Sequence, residues 1–151
     1  MPQSLTCVYV HIVFSTKNRV PFLQNDDVRK QMHAYLASLL KIYESHAIIV
    51  GGAEDHAHIL CSLSKNHPLS KIIGEVKRNS SKWIKKKGTE YLEFQWQNGY
   101  GAFSVSSSNL ESVRKYIVDQ KHHHKKYTFK EELIRLLKKH GVRYDEKYLW
   151  E

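Results

Sequence analysis

His56 and His58 stand one residue apart in GGAEDHAHIL, which runs from Gly51 to Leu60. Imidazole is the commonest side-chain metal ligand, and two rings on one side of a backbone can grip a single cation. A β-strand supplies that arrangement, because residues two apart point to the same face. Asp55 precedes the pair, and alternation turns it the other way. Two readings stay open on these residues alone: a cation site, or two hydrogen-bonded strand histidines in a chain that has ten. A third ligand from elsewhere in the chain would decide between them.

The second chemical feature is VRKYIVDQKHHH, from Val113 to His124. Tyr116 and Gln120 are four apart, so on a helix they share a face, one turn from each other. His123 and His124 continue that stripe, while Val113 and Ile117 lie on an adjoining apolar side. A phenol, with a pKa of about 10, is a weak nucleophile at neutral pH. It becomes useful when a cation polarises the electrophile and nearby positive charge favours phenoxide. A phosphodiester is a suitable electrophile. Attack by Tyr116 Oη exchanges one ester for another, so the join can later be reversed without a nucleoside triphosphate.

These groups need elements to carry them. CVYVHIVF, from Cys7 to Phe14, alternates as a strand with Val8, Val10, Ile12 and Phe14 on one face. Asn25 or Asp26 caps a helix whose apolar residues recur from Val28 through Met32, Leu36 and Leu40 to Tyr43. HAIIVGG and HAHILCSL read as two strands of an antiparallel hairpin. NHPLS opens a second helix with Leu69, Ile72, Ile73, Val76, Ser80, Trp83 and Ile84 inside, ended by Gly88. FQWQNGYGAFSVS reads as two short strands around a turn. Asn109 caps the tyrosine helix, and a further helix spans Thr128 to His140. The aromatic tail GVRYDEKYLWE docks on the body or on a neighbour. Helices alternating with antiparallel strands predict an α+β fold: a ferredoxin-like sheet packed with helices, plus C-terminal helices that carry the tyrosine.

Composition narrows the class. The chain has 151 residues, enough for one domain with a core, and is 41% hydrophobic, which excludes a disordered chain. Its apolar runs fall short of the ~20 residues that a membrane span needs. A strand pattern begins at once with no basic leader. Cys7 and Cys61 form no CxxC, which fits buried, reduced thiols and a cytoplasmic setting. Lys and Arg total 24 against 15 acids, a net charge of +9 that suits a polyanionic partner.

His56-Ala57-His58 together with Tyr116-Ile117-Val118-Asp119-Gln120 resembles the HUH single-tyrosine transposases of small bacterial and archaeal insertion sequences, which include relatives associated with repetitive extragenic palindromes. FSVS at Phe103 to Ser106 and the Tyr-x-x-x-Gln-x-x-His-His pattern are similar to that family as well. The resemblance spans nearly the whole chain and implies a single HUH transposase domain over residues 1–151. It implies that His56 and His58 are paired metal ligands, that Gln120 is the third, and that Tyr116 takes the 5′-phosphate of cut DNA. Ala57 replaces a bulkier hydrophobe and Asp119 an asparagine. His123 or His124 would compete with Gln120 for the cation. Mixed nitrogen and oxygen ligation suits Mg²⁺ or Mn²⁺. The implied substrate is single-stranded DNA with hairpin ends, and the implied assembly a homodimer in which the tyrosine helix can complete the metal site of its own subunit or, in trans, that of the other.

Lys71 to Lys87 contains seven basic residues and one acid, Glu75. Lys71, Arg78, Lys82 and Lys85 share a helix face that can track a phosphate backbone, with Arg114 beside the tyrosine as a further contact. Trp83, Trp96 and Tyr100 are candidates for base stacking or for the core. Two other functions fit the same residues: a non-catalytic single-stranded nucleic-acid-binding protein with a vestigial metal site, and a phosphodiesterase that uses water in place of tyrosine.

Overall fold

A computed structural model describes residues 3–120, 122 and 126–151. The elements are β1 (Tyr9–Ser15), α1 (Asp26–Ile42), β2 (Ala47–Gly52), β3 (His56–Ser62), α2 (Leu69–Lys85), β4 (Gly101–Val105), α3 (Leu110–Val118), α4 (Phe129–Lys139) and α5 (Glu146–Leu149), with short 3-10 turns between some of them. The strands form one antiparallel sheet in the order β2-β3-β1-β4. This is the ferredoxin-like plan, extended toward the C-terminus by α3, α4 and α5.

Strand alternation divides the chain into layers. Val10, Ile12 and Phe14 of β1 and Ala57, Ile59 and Cys61 of β3 face one side. There they meet Met32, Leu36, Leu39 and Leu40 of α1 and Ile72, Ile73, Val76 and Ile84 of α2. Each valine, leucine, isoleucine, methionine or phenylalanine among them contributes roughly 1.5–3 kcal/mol of burial free energy. Asn25 caps α1 by accepting the Val28 N–H at 3.0 Å. The other face of the sheet presents Val13 and Phe103, which pack with Phe129 and Leu137 of α4. Tyr144, Leu149 and Trp150 close over this smaller core, so the aromatic tail docks on its own body.

Four local expectations change. FQWQNGYGAFSVS yields one strand, β4, because Trp96 makes only an isolated bridge with Thr16 and buries its ring against Phe14 and Phe94. Helix α2 stops at Lys85, before Gly88, with Lys86 and Lys87 N–H groups already turned onto Trp83 and Ile84 carbonyls. Helix α3 stops at Val118, so Asp119 and Gln120 lie past its regular end. Cys61 is buried, but Cys7 is exposed, since it and Val8 precede the first paired residue of β1. No helix among the described residues is long and apolar enough to cross a membrane. His123 and His124 lie outside the described residues.

Candidate active site

Strand β3 is internal, paired on one side with β2 and on the other with β1, so its side chains start from a backbone held on both edges. His56 and His58 leave it on the face opposite Ala57 and Ile59, both fully buried, with ring centroids 5.1 Å apart. Gly51 is the β2 partner of His58. A Cβ there would lie 2.8 Å from both Cγ2 and the carbonyl oxygen of Ile117, so the bare glycine lets α3 approach the sheet. Ile117 is fully buried at that contact, and Tyr116 is the residue before it. The helix that carries the phenol is thus seated on the strand beside the histidines.

Each imidazole is oriented by a partner behind it. His56 Nδ1 lies 2.6 Å from Asp55 Oδ1, an arrangement that directs Nε2 into the site. The expectation that Asp55 points away is therefore wrong, because Asp55 precedes the first residue of β3 and is not bound by its alternation. His58 Nδ1 lies 2.8 Å from Nε2 of His11 on β1, and the two rings stack with centroids 5.1 Å apart. Burial and the neighbouring His58 push His11 down to about 3, so it is a neutral partner for His58 Nδ1. That leaves Nε2 of both His56 and His58 facing the same space.

Into that space comes Glu132, from the first turn of α4. Thr128 caps this helix in a capping box with Glu131, which fixes where the helix starts. Glu132 is buried, with Oε1 3.0 Å from His58 Nε2 and Oε2 3.5 Å from His56 Nε2. Gln120 Oε1 lies 3.0 Å from His56 Nε2, while Gln120 Nε2 donates to Glu132 Oε1 at 3.0 Å. The Tyr116 hydroxyl donates to the same Oε1. Two atoms at the centre are buried without an aligned hydrogen bond: His58 Nε2 and Glu132 Oε2. Buried lone pairs left in this way cost free energy unless something positive satisfies them. His56, His58 and Glu132 converge closely enough to share one ion, their ligand atoms all within 4.8 Å of one another. Two imidazoles, a carboxylate and an amide oxygen are a donor set that fits a divalent cation.

The electrostatics agree. Burial opposes a charged His56, but hydrogen bonds to Asp55 and Glu132 outweigh it and raise His56 to about 9. Burial lowers His58, and the charge on His56 adds to that, despite the opposing Glu132 carboxylate. Burial would raise Glu132, yet the two histidines hold it far below the usual carboxylate range. Burial and the Glu132 carboxylate together raise the Tyr116 phenol well above its ordinary value.

The model of the family described as "Transposase IS200 like" matches residues 4–120. The chain belongs to the IS200-like transposase family. The matched segment holds His56, His58, Tyr116 and Gln120, and stops before α4 and Glu132. Among solved structures, the chain is similar to one described as "a putative transposase from Deinococcus radiodurans R1", with 17% identity, a TM-score of 0.60, and coverage of 78% of this chain and 93% of that one. It is also similar to a REP-associated tyrosine transposase bound to a REP hairpin, with 12% identity, a TM-score of 0.58, and coverage of 84% of this chain and 72% of that one. No curated protein matches it. At these identities the solved structures support the shared fold.

In this IS200-like chain the other residues singled out by sequence are spread over several surfaces. Lys71, Arg78 and Lys82 are exposed and Lys85 half-buried on α2, which packs on the sheet face away from His56 and His58. Arg78 is held by Glu75, and Arg114 by both oxygens of Glu111 at 3.0 and 2.6 Å. Trp96 is buried and donates to Ser80 Oγ at 2.9 Å, and Trp83 stacks on Tyr35, so both are packing residues here. Tyr100 is exposed. Sequence reasoning missed His11, Asp55 and Glu132. The one visible signal for Glu132 was its place on the apolar face of an amphipathic helix, three residues after Phe129 and four before Leu136.

Proposed function

We propose that this chain cuts and rejoins single-stranded DNA at hairpin-marked ends through a covalent 5′-phosphotyrosine on Tyr116. The observation that carries the proposal is the convergence of Tyr116 Oη and Nε2 of His56 and His58 on one buried carboxylate. His56, His58, Gln120 and Glu132 would hold a divalent cation, Mg²⁺ or Mn²⁺. When bound, it supplies Lewis-acid charge to the scissile phosphate and to the departing oxygen.

The chain's own residues then have defined tasks. Tyr116 Oη forms the new bond to phosphorus, the P–O3′ bond breaks, and the 3′-oxygen leaves as a hydroxyl. The phenolic proton already points at Glu132 Oε1, and the proton count balances when the 3′-oxygen gains one. The reverse reaction, with a free 3′-hydroxyl attacking the phosphotyrosine, restores Tyr116 and joins new ends. Asp55 and His11 keep the imidazoles aimed inward. Lys71, Arg78, Lys82 and Lys85, on the far side of the sheet, are assigned to the paired stem of the hairpin, where its phosphates can be held without entering the site. Arg114 is assigned to the strand near Tyr116. The REP hairpin held by the similar tyrosine transposase supports a hairpin as substrate. The homodimer expected from the resemblance would pair two such sites, and because these groups meet within one chain, exchange of tyrosine helices is not required.

The test is incubation of purified protein with Mn²⁺ and labelled hairpin-ended single-stranded DNA, followed by a denaturing gel. A covalent protein–DNA band is expected, and it should vanish in Tyr116→Phe. DNA cleavage that survives in Tyr116→Phe would replace the proposal with water-dependent hydrolysis. Binding without any cleavage across several hairpin ends would replace it with a non-catalytic binder.

A further inference from the structure

A cavity of about 690 Å³ opens between α3 and α4 over the β1–β4 edge of the sheet. Its floor holds His11, Tyr116 and Glu132, and its walls include Ser104 and Ser112 on one side and Arg135 and Lys139 on the other. Glu132, Arg135 and Lys139 follow one another at three- and four-residue steps along α4. One stripe of this helix therefore carries an acid into the site and two cations up the wall, about one turn, ~5.4 Å, apart at each step.

Arg135 and Lys139 are exposed, and neither forms an ion pair among the described residues. They differ in this from Arg78 and Arg114, which Glu75 and Glu111 already occupy. Arg135 is also pre-positioned, with its guanidinium 4.0 Å from the centroid of the Tyr127 ring. At the cavity wall His140 stacks on Phe103, with centroids 4.6 Å apart. The volume lies within the ~300–1,000 Å³ of small-ligand sites, which suits a nucleotide or so of an unpaired strand and is too small for a duplex.

We infer that this cleft is the channel for the unpaired strand, with Arg135 and Lys139 gripping backbone phosphates next to the one that Tyr116 attacks. The inference rests on the proposed DNA function. It places the strand-binding cations on α4, beyond the segment that the family model matches, and leaves the α2 cations to the paired stem. A phosphate at the Arg135 rim lies along the same helix stripe as Glu132, so gripping it draws the next phosphate toward the floor where Tyr116 stands.

The test uses the full chain and a short fluorescein-labelled oligothymidine, followed by anisotropy in EDTA so that metal-dependent chemistry plays no part. Arg135→Glu with Lys139→Glu should weaken binding on the order of 10-fold or more. The plot of log affinity against log salt should flatten by about 1.4, from ~0.7 per lost contact on a single strand. Arg135→Gln with Lys139→Gln should act in the same direction, less strongly, and circular dichroism should show both variants folded. Lys30→Glu with Lys41→Glu, exposed on α1, should change binding less than twofold. Unchanged binding in the α4 pairs overturns the inference. If the α4 pairs lose binding while wild-type protein forms no covalent adduct, the channel stands and the transposase chemistry falls.

Discussion

Gly51→Ala tests whether the seat of α3 on the sheet sets the position of Tyr116, the proposed nucleophile. The new Cβ would meet Ile117 Cγ2 and the Ile117 carbonyl oxygen, both at 2.8 Å. Non-bonded carbons sit about 3.5–4.0 Å apart, so the contact is short by roughly 0.7–1.2 Å. A rotamer change in Ile117 relieves the methyl but not the carbonyl, which is backbone. Helix α3 must therefore lift from β2 by a substantial part of an ångström, and Tyr116 moves with it. Overpacking of this kind costs about 1–3 kcal/mol of stability. A displacement near 1 Å at a reacting group costs about 10²-fold in rate. Urea unfolding reads the first effect, and single-turnover formation of the covalent adduct with Mn²⁺ reads the second. Gly74→Ala is the matched control. Gly74 is exposed inside α2, and a methyl added there would meet nothing within 4 Å, so alanine should stabilise the protein by about 0.5–1 kcal/mol and leave the rate alone. A Gly51→Ala protein with wild-type stability and an adduct rate within threefold of wild type would refute the claim that this contact positions Tyr116.

Two further outcomes follow from the same geometry. Asp55→Ala removes the group behind His56 without touching the cation site itself, and Mn²⁺ affinity measured by calorimetry should fall about 10–100-fold; unchanged affinity would mean that Asp55 does not orient the ring. In EDTA, His56 sits at about 9 against an ordinary 6.5, so its contribution to stability is complete below 6.5 and disappears as pH rises through 9. Glu132 is held below its ordinary 4.5, so its contribution is present above 4.5 and disappears as pH falls. The wild-type thermal midpoint should therefore carry this pair's full contribution between about pH 4.5 and 6.5 and lose it toward pH 9, whereas Glu132→Gln should flatten that alkaline decline.

What the sequence made legible was whatever depends on short-range periodicity. Two-residue alternation places His56 and His58 on one face, and four-residue spacing places Tyr116 and Gln120 near one another even though the helix ends between them. The same rule identifies the basic stripe of α2, yet says nothing about which layer α2 joins. That depends on the handed crossing of the sheet, and it puts Lys71 and Lys82 behind the site. Glu132 was hidden for a similar reason. An acid in a first helical turn reads as a favourable partner for the helix dipole, and its real partner lies across the fold on β3. His11 was hidden by its neighbours, since a lone histidine in YVHIVF looks like a strand residue until β1 is known to pair with β3. Asp55 misled because alternation was applied one residue beyond the strand.

The arrangement also bears on the phenol proposed as nucleophile. The Tyr116 hydroxyl donates to Glu132, and burial together with that carboxylate raises the phenol above its ordinary value, which disfavours phenoxide. A divalent cation held by His56, His58 and Glu132 would supply positive charge that offsets the Glu132 carboxylate and lowers the cost of phenoxide at Tyr116. Under the proposed function, Glu132 would thus both hold the cation and hold the phenol, so the two roles meet on one carboxylate. Helix α4, which brings Glu132 to the floor and Arg135 and Lys139 to the wall, is the element through which strand binding and those two roles can be coupled.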